Sequence, residues 1–271
     1  MKTILITGAT DGIGFETAKL FAANEYALIL HGRSQQKMDA TLEKITQSFP
    51  NAKVEGVLAD LSKFSEIASL IKEIKANYHS IDAIINNAGV LKLPKPITED
   101  GLDARYVVNT IAPILITRGL LPMLSKQGRV VNLSSAAQAP VVSEAITGDV
   151  QLHDDMQAYA QSKLALTMWV KYSTHAFDSS QVNVAVNPGS LLASKMVKEG
   201  FGVAGNDLSI GAKVLFDAAV SEKFKEASGM YFDNDNGVFS EPHPFALKSS
   251  HYDDMMRAIE KVIDEQAISF T

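Results

Sequence analysis

Thr7-Gly8-Ala9-Thr10-Asp11-Gly12-Ile13-Gly14 is a glycine-rich turn between an apolar run and an amphipathic one. Residues 3 to 7 predict a short buried strand, and the pattern that follows, to about Asn24, predicts a helix. In that setting glycines let the backbone turn sharply and let a pyrophosphate approach the amides at a helix N-terminus, where unpaired N–H groups and the helix dipole favour an anion. Gly8, Gly12 and Gly14 are the candidates, with Thr10 and Ile13 of the same turn. A glycine turn that serves only packing is the competing reading, and the strand before and helix after weigh against it.

A second strand, Ala27-Leu28-Ile29-Leu30-His31, ends in Gly32-Arg33-Ser34. Dinucleotide-binding folds place an acid here for the adenosine ribose of NAD, and this chain has none. Arg33 instead offers a fork-shaped cation suited to a 2′-phosphate, with Ser34 as a second donor, so NADP(H) is favoured and NAD(H) stays open. Asp11 conflicts with that choice, because an acid in the turn repels a phosphate. A third strand, 53–61, brings Asp60 and Leu61 to the carboxyl edge of the sheet. Asp60 can accept from the adenine amino group or cap the helix that starts near Ser62. After a fourth strand, 82–85, Asn86-Asn87-Ala88-Gly89 turns the chain; asparagines tie such turns to neighbouring backbone, and the small residues admit the cofactor ribose.

Tyr159-Ala160-Gln161-Ser162-Lys163 opens a helical pattern that runs to about Phe177. Positions four apart share a face, so Tyr159 and Lys163 project side by side. Lowering a tyrosine from about pH 10 to about 7 takes roughly 4 kcal/mol of phenolate stabilisation, which a fixed cation in a partly dry site can largely supply. A helix predicted over 101–124 contains Asn109 and then Pro113, which removes a backbone hydrogen bond and predicts a kink that frees a carbonyl for water.

Taken together, the spacing Thr-Gly-x-x-x-Gly-x-Gly, then Asn-Asn-Ala-Gly, then Tyr-x-x-x-Lys, then Pro188-Gly189, resembles the short-chain dehydrogenase/reductase family in its single-domain form, from residue 3 to about 190. The long interval between Ser135 and Tyr159, and Ser228-Gly229-Met230-Tyr231-Phe232, are closest in pattern to its retinol-dehydrogenase-like and protochlorophyllide-reductase-like branches. The resemblance implies that Tyr159 exchanges the proton of the alcohol, Ser135 steadies the substrate oxygen, Lys163 lowers the tyrosine pKa and binds the ribose, and Asn109 holds a water that relays protons. Ser143 is a weaker rival to Ser135. Pro188 and Gly189 are expected beside the nicotinamide; the serine that usually follows them is at altered spacing, in Ser190-Leu191-Leu192-Ala193-Ser194.

The expected fold is a three-layer α/β/α domain over residues 1–271, with a Rossmann-type doubly wound, mainly parallel sheet. Substrate loops are expected at 91–97, 136–156 and 190–207, with 195–207 as a mobile flap. The acidic and polar residues 148–155 imply a pocket that is not purely apolar, if they point inward. For His153, Asp154 and Asp155 a helix N-cap at Asp154 or Asp155 is a better reading than a metal, and no metal is expected. The helix after Tyr159 carries two apolar stripes, one through Leu166, Val170 and Phe177, the other through Leu164, Met168 and Tyr172. One sheet needs one stripe, so the second is assigned to a partner subunit, giving a homodimer or homotetramer.

A net charge of -6 without blocks of like charge argues against nucleic-acid and anionic-membrane partners. Absence of cysteine removes disulfides and thiolate chemistry and fits a reducing compartment, so a cytoplasmic location is expected. No apolar stretch approaching the ~20 residues of a membrane span is read in the sequence, and no export signal. The expected function is hydride transfer between nicotinamide and a carbonyl or alcohol carbon of a small, partly lipophilic substrate. A catalytically silent NADP(H) sensor is the alternative.

Overall fold

The computed structural model describes residues 1–193, 202 and 204–266 and places eight strands in one sheet. The strands are β1 (Thr3–Ile6), β2 (Ala27–Gly32), β3 (Lys53–Leu58), β4 (Ile81–Asn86), β5 (Leu124–Leu133), β6 (Val182–Asn187), β7 (Tyr231–Asp233) and β8 (Val238–Ser240). Their order is β3-β2-β1-β4-β5-β6-β7-β8, parallel throughout except for the antiparallel β7–β8 pair. The order reverses between β1 and β4, and ligands of such sheets bind in the crevice at that switch point. The final hairpin is an addition to the expected single last strand: Gly237, at φ 71°, turns the chain back and β8 covers the edge of β7.

Central strands buried on both faces read as continuous apolar runs, and helices complete two layers over them. Helices α1 (Gly12–Ala23) and α2 (Gln35–Ser48) lie on one face, closed by α8 (Leu208–Val220), with Phe21, Met38, Ile45 and Leu215 in the core they share. The other face carries α3 (Phe64–Asn77), a composite helix, α6 (Ser143–Ile146), α7 (Asp155–Tyr172) and the terminal α9 (Ser249–Glu265). The composite helix is α4 (Ala104–Tyr106), a π-helical turn (Val107–Ile111) and α5 (Ala112–Leu120). With the short turn after it, this run from Ala104 to Met123 is long and apolar enough to cross a membrane, contrary to expectation, but it is mostly buried in the core.

The two stripes of α7 are both covered within the chain, which corrects the assignment of one to a partner subunit. Leu164, Leu166, Met168 and Val170 are at most 1% exposed, packed in a core that includes Met255, Ile259 and Ile263 of α9. Tyr172 stacks on Tyr252 and donates to the carbonyl of Ala246, while Arg118 of α5 pairs with Glu260 of α9 at 2.6 Å. The terminal helix thus occupies the face that the sequence leaves apolar. The 148–155 segment also departs from expectation: Ala145 and Ile146 of α6 face the core, whereas Gln151, His153 and Asp154 are exposed. Asp154 caps α7, accepting from the Gln157 amide at 2.7 Å.

Candidate active site

The glycine turn is tightly built. Gly8 adopts φ 64°, and a Cβ on it would come 2.9 Å from the Ala88 Cα; on Gly14 it would come 2.3 Å from the Gly8 carbonyl oxygen and 2.4 Å from Asn87 Nδ2. Neither position admits a side chain, so α1 starts close against the ends of β1 and β4. Asn87 pins the other side by donating to the carbonyls of Thr7 (2.8 Å) and Gly8 (3.0 Å), and Thr7 Oγ1 accepts from the amides of Asn87 and Ala88. The first-turn amides of α1, at Gly12, Ile13 and Gly14, form the N-terminus of the helix just past β1, where that of Gly12 donates to Asp11, and Ile13 also packs near Gly211 of α8. This cradle fits a dinucleotide pyrophosphate.

At the adenosine corner Arg33 is exposed at the end of β2, and Ser34 caps α2 by accepting from the Lys37 amide at 3.4 Å. As a cap acceptor, Ser34 keeps its hydroxyl proton for a ligand. Asp11 caps α1 through the Gly12 amide at 2.8 Å, and its carboxylate lies 3.9 Å from Lys37 Nζ. Lys37 is a corner residue that the sequence reading missed; its signal was its place in the first turn of the helix that follows Ser34. Asp60 does not cap α3, whose N-cap is Lys63. It forms a local turn instead, accepting from the amide (3.0 Å) and hydroxyl (2.8 Å) of Ser62. Burial raises its pKa, but those bonds and the charge of Arg33 outweigh it and hold the carboxyl below its usual value. Leu61 is buried among the core residues behind this corner.

Four residues proposed for chemistry converge past the ends of β4 and β5. Ser134 faces inward, its hydroxyl 2.6 Å from that of Thr167, whereas the Ser135 hydroxyl accepts from the Ala137 amide at 3.1 Å and lies near enough to the Tyr159 phenol to lower its pKa. Ser143, at the start of α6, shows no contact with Tyr159. Lys163 is 3% exposed, donates to the Leu133 carbonyl at 2.7 Å, and its Nζ lies 5.7 Å from the centre of the Tyr159 ring. Burial lowers the Lys163 pKa to about 8. Burial also pushes the Tyr159 hydroxyl above the usual tyrosine value, and the bond with Ser135 offsets only part of this. The expectation that Lys163 brings the tyrosine toward neutrality is therefore not met in this structure: the ammonium is turned to a carbonyl, and desolvation dominates.

Asn109 sits in the π-helical turn rather than at a kink centred on Pro113, which lies in the first turn of α5. The amide of Ala112 reaches back five residues to the Val107 carbonyl; proline cannot continue the ladder at the next position, and the helix is widened there. Together, α4 and the wide turn lay successive polar side chains on α7. Arg105 reaches Asp155 at 2.5 Å, Tyr106 donates to Gln161 at 2.7 Å, Asn109 donates to Ser162 Oγ at 3.0 Å, and Thr110 donates to the Ser162 carbonyl at 2.7 Å. These links bracket Tyr159 on both sides. Asn109 also exchanges two hydrogen bonds with the main chain of Val90, at 2.8 and 2.9 Å.

Pro188 is buried and Gly189 adopts φ 123° past the end of β6. Ser190 is held by Asp235, its amide at 2.7 Å and hydroxyl at 2.6 Å, while Asn234 donates to the Pro188 carbonyl at 2.9 Å. The β7–β8 turn thus fixes the loop expected beside the nicotinamide, a contact with no local signal in the sequence. Ser194 and most of the expected flap, 195–201 and 203, lie outside the described residues. Among the described residues no group of three or more His, Cys, Asp or Glu is placed to hold a metal ion.

A doubly wound sheet with a glycine cradle at its switch point, and a Ser, Tyr and Lys set beside it, defines a dinucleotide-binding oxidoreductase. The family model described as short chain dehydrogenase matches residues 2–201. Retinol dehydrogenase 13 of Mus musculus is 30% identical over 86% of this chain and 75% of its own, and the chloroplastic short-chain dehydrogenase TIC 32 B of Brassica napus is 28% identical over 97% and 88%. A putative short chain dehydrogenase from Escherichia coli CFT073, solved in complex with NADPH, superposes with a TM-score of 0.68 at 26% identity, covering 86% of this chain and 96% of that one. The chain belongs to the short-chain dehydrogenase family, in a pattern of the retinol-dehydrogenase-like branch, and is an oxidoreductase acting on CH–OH or C=O groups with NAD(P).

Proposed function

We propose that the chain is an NADP(H)-dependent oxidoreductase that transfers hydride between the nicotinamide and the carbonyl or alcohol carbon of a small, partly lipophilic substrate. The observation that carries this reading is the convergence of Ser135, Tyr159 and Lys163 at the carboxyl edge of β5, beside the glycine cradle. The nicotinamide supplies the hydride. Ser135 and Tyr159 hold the substrate oxygen between two hydroxyls, and Tyr159, whose hydroxyl pKa burial holds above the usual tyrosine value, donates the proton that the reduced oxygen needs. Lys163 releases its Leu133 contact to hold the cofactor ribose, and with a pKa of about 8 it is the neighbour matched to return a proton to the tyrosine. Asn109 secures the π-helical turn through Val90 and Ser162, which leaves main-chain carbonyls of the widened helix for a relay water.

Arg33 at the end of β2 and Lys37 in the first turn of α2 support NADP(H) over NAD(H), with Ser34 as a further donor and Lys37 partly balancing Asp11. The NADPH complex of the Escherichia coli relative supports the same choice. The relative retinol dehydrogenase 13, named for a lipophilic alcohol, favours a partly lipophilic substrate. The test is optical: oxidation of NADPH and NADH across ketones, aldehydes and quinones, with Tyr159→Phe alongside. Turnover that vanishes in the variant supports the oxidoreductase. NADPH binding by both proteins without turnover of any carbonyl favours the sensor.

A further inference from the structure

His31, at the end of β2, is 2% exposed and has no part in the chemistry above. Its two ring nitrogens meet two main-chain groups on either side of its own strand. Nδ1 accepts from the Gly8 amide at 3.2 Å, and Nε2 lies 2.9 Å from the Ala59 carbonyl oxygen. An amide can only donate and a carbonyl only accept, so one tautomer satisfies both: Nδ1 bare and the proton on Nε2. We propose that His31 is a cofactor-positioning residue, a single-tautomer clamp that fixes the glycine turn and the Asp60 corner at the spacing the adenosine half of NADP(H) requires. This rests on the dinucleotide reading of the crevice.

The need for a side chain here follows from the turn itself. Gly8 lies beyond the end of β1 in the left-handed region, so its N–H has left the strand ladder; partly buried, it would be costly to leave without an acceptor. Main-chain bonds from Ala9 to His31 (2.9 Å) and from Ala59 to Gly32 (3.1 Å) already bring the three strand ends together. The imidazole adds a rigid strut between them. The contact points for the cofactor are its immediate neighbours: Gly8 opens the pyrophosphate turn, Arg33 is two residues along, and Asp60 follows Ala59. An imidazole that supports these without touching the reacting atoms acts on cofactor affinity and leaves the chemical step alone.

The experiment is NADPH titration by fluorescence on wild-type, His31→Leu, His31→Asn and His31→Gln chains, with kcat measured at saturating NADPH. Asn can place its Oδ1 where Nδ1 accepts from Gly8; Gln can place its amide where Nε2 meets Ala59. Losing the Gly8 bond should raise the NADPH dissociation constant of His31→Leu by roughly 10-fold, with kcat within about 2-fold of wild type and most of the affinity recovered in His31→Asn. Equal NADPH dissociation constants in wild type and all folded variants overturn the clamp, and if His31→Leu does not fold, the Asn and Gln variants carry that comparison. A fall in kcat without a change in affinity also overturns it. A wild-type chain that binds neither NADPH nor NADH overturns the dinucleotide reading and the clamp together.

Discussion

Lys163 Nζ donates to the carbonyl of Leu133 at 2.7 Å, and so ties the helix of the proposed proton donor to the strand that ends two residues before Ser135. A buried ammonium on one carbonyl is a poor resting place for a charge, and its pKa falls to about 8. The fold holds this cation at a cost in stability, which is common where function requires a charge in a dry site.

Lys163→Met should therefore abolish turnover and stabilise the unliganded protein at pH 7. The pKa depression corresponds to about 3 kcal/mol, of which about 1 kcal/mol is offset by the lost Leu133 bond. Unfolded chains bind more protons than folded ones between pH 8 and 10.5, so wild-type stability rises with pH in that window and the gap to the variant should close. Denaturant melts at pH 7 and pH 10 check this; a variant less stable than wild type at both would contradict it.

For turnover, kcat/KM in the reductive direction should decline as pH rises through about 8, where Lys163 loses its proton. Tyr159→Phe should lower kcat by ~10²-fold or more and leave the NADPH dissociation constant unchanged, and Ser135→Ala should lower kcat by a comparable order. Steady-state kinetics with fluorescence titration separates the two effects.

Acid stability isolates His31. Burial lowers its pKa from 6.5 to about 4, despite the Ala59 hydrogen bond; nearby Arg33 lowers it further and Asp60 opposes. Unfolded chains bind the extra proton between those values, so the contribution of neutral His31 is lost as pH falls from 6.5 toward 4, amounting to about 3 kcal/mol. His31→Asn should lose correspondingly less stability over that range, read by urea melts at pH 6.5 and 4.5.

Arg105 is 1% exposed and chelated by Asp103, with bonds of 2.6 and 2.8 Å, while its third contact holds Asp155 in the first turn of α7. Arg105→Met should destabilise by about 3–5 kcal/mol, because Asp103 is left buried without its counter-charge, whereas Arg105→Met with Asp103→Leu should lose much less. A double-mutant cycle by thermal or urea melts measures the coupling.

Unseating α9 tests how the apolar face of α7 is covered. Ile259→Asp places an unpaired carboxylate in the α7–α9 core and should cost several kcal/mol locally, exposing part of the Leu166 and Val170 face. Light scattering should show self-association of the variant at concentrations where wild type shows no change.

The sequence by itself determined the doubly wound sheet, the glycine turn and the pairing of Tyr159 with Lys163, because these depend on local periodicity and on residues within one or two turns of each other. A cap at Asp154 or Asp155 was legible for the same reason, and the structure places it at Asp154. The resemblance named Ser135 by its interval to Tyr159, and the tertiary structure supplies the physical reason: β5 turns Ser134 inward onto Thr167 and leaves Ser135 on the side of the tyrosine. Only the tertiary structure decided that α9 fills the second stripe of α7, that the acidic insertion points outward, and that His31 spans Gly8 and Ala59. These partners are separated by 23 to 28 residues for His31 and by far more for α9, and no local pattern encodes which distant segment will pack on an apolar face. The tyrosine pKa belongs to the same class: side-by-side placement with Lys163 follows from helix geometry, but its sign is set by burial and by the Leu133 carbonyl, which exist only once the strands have assembled.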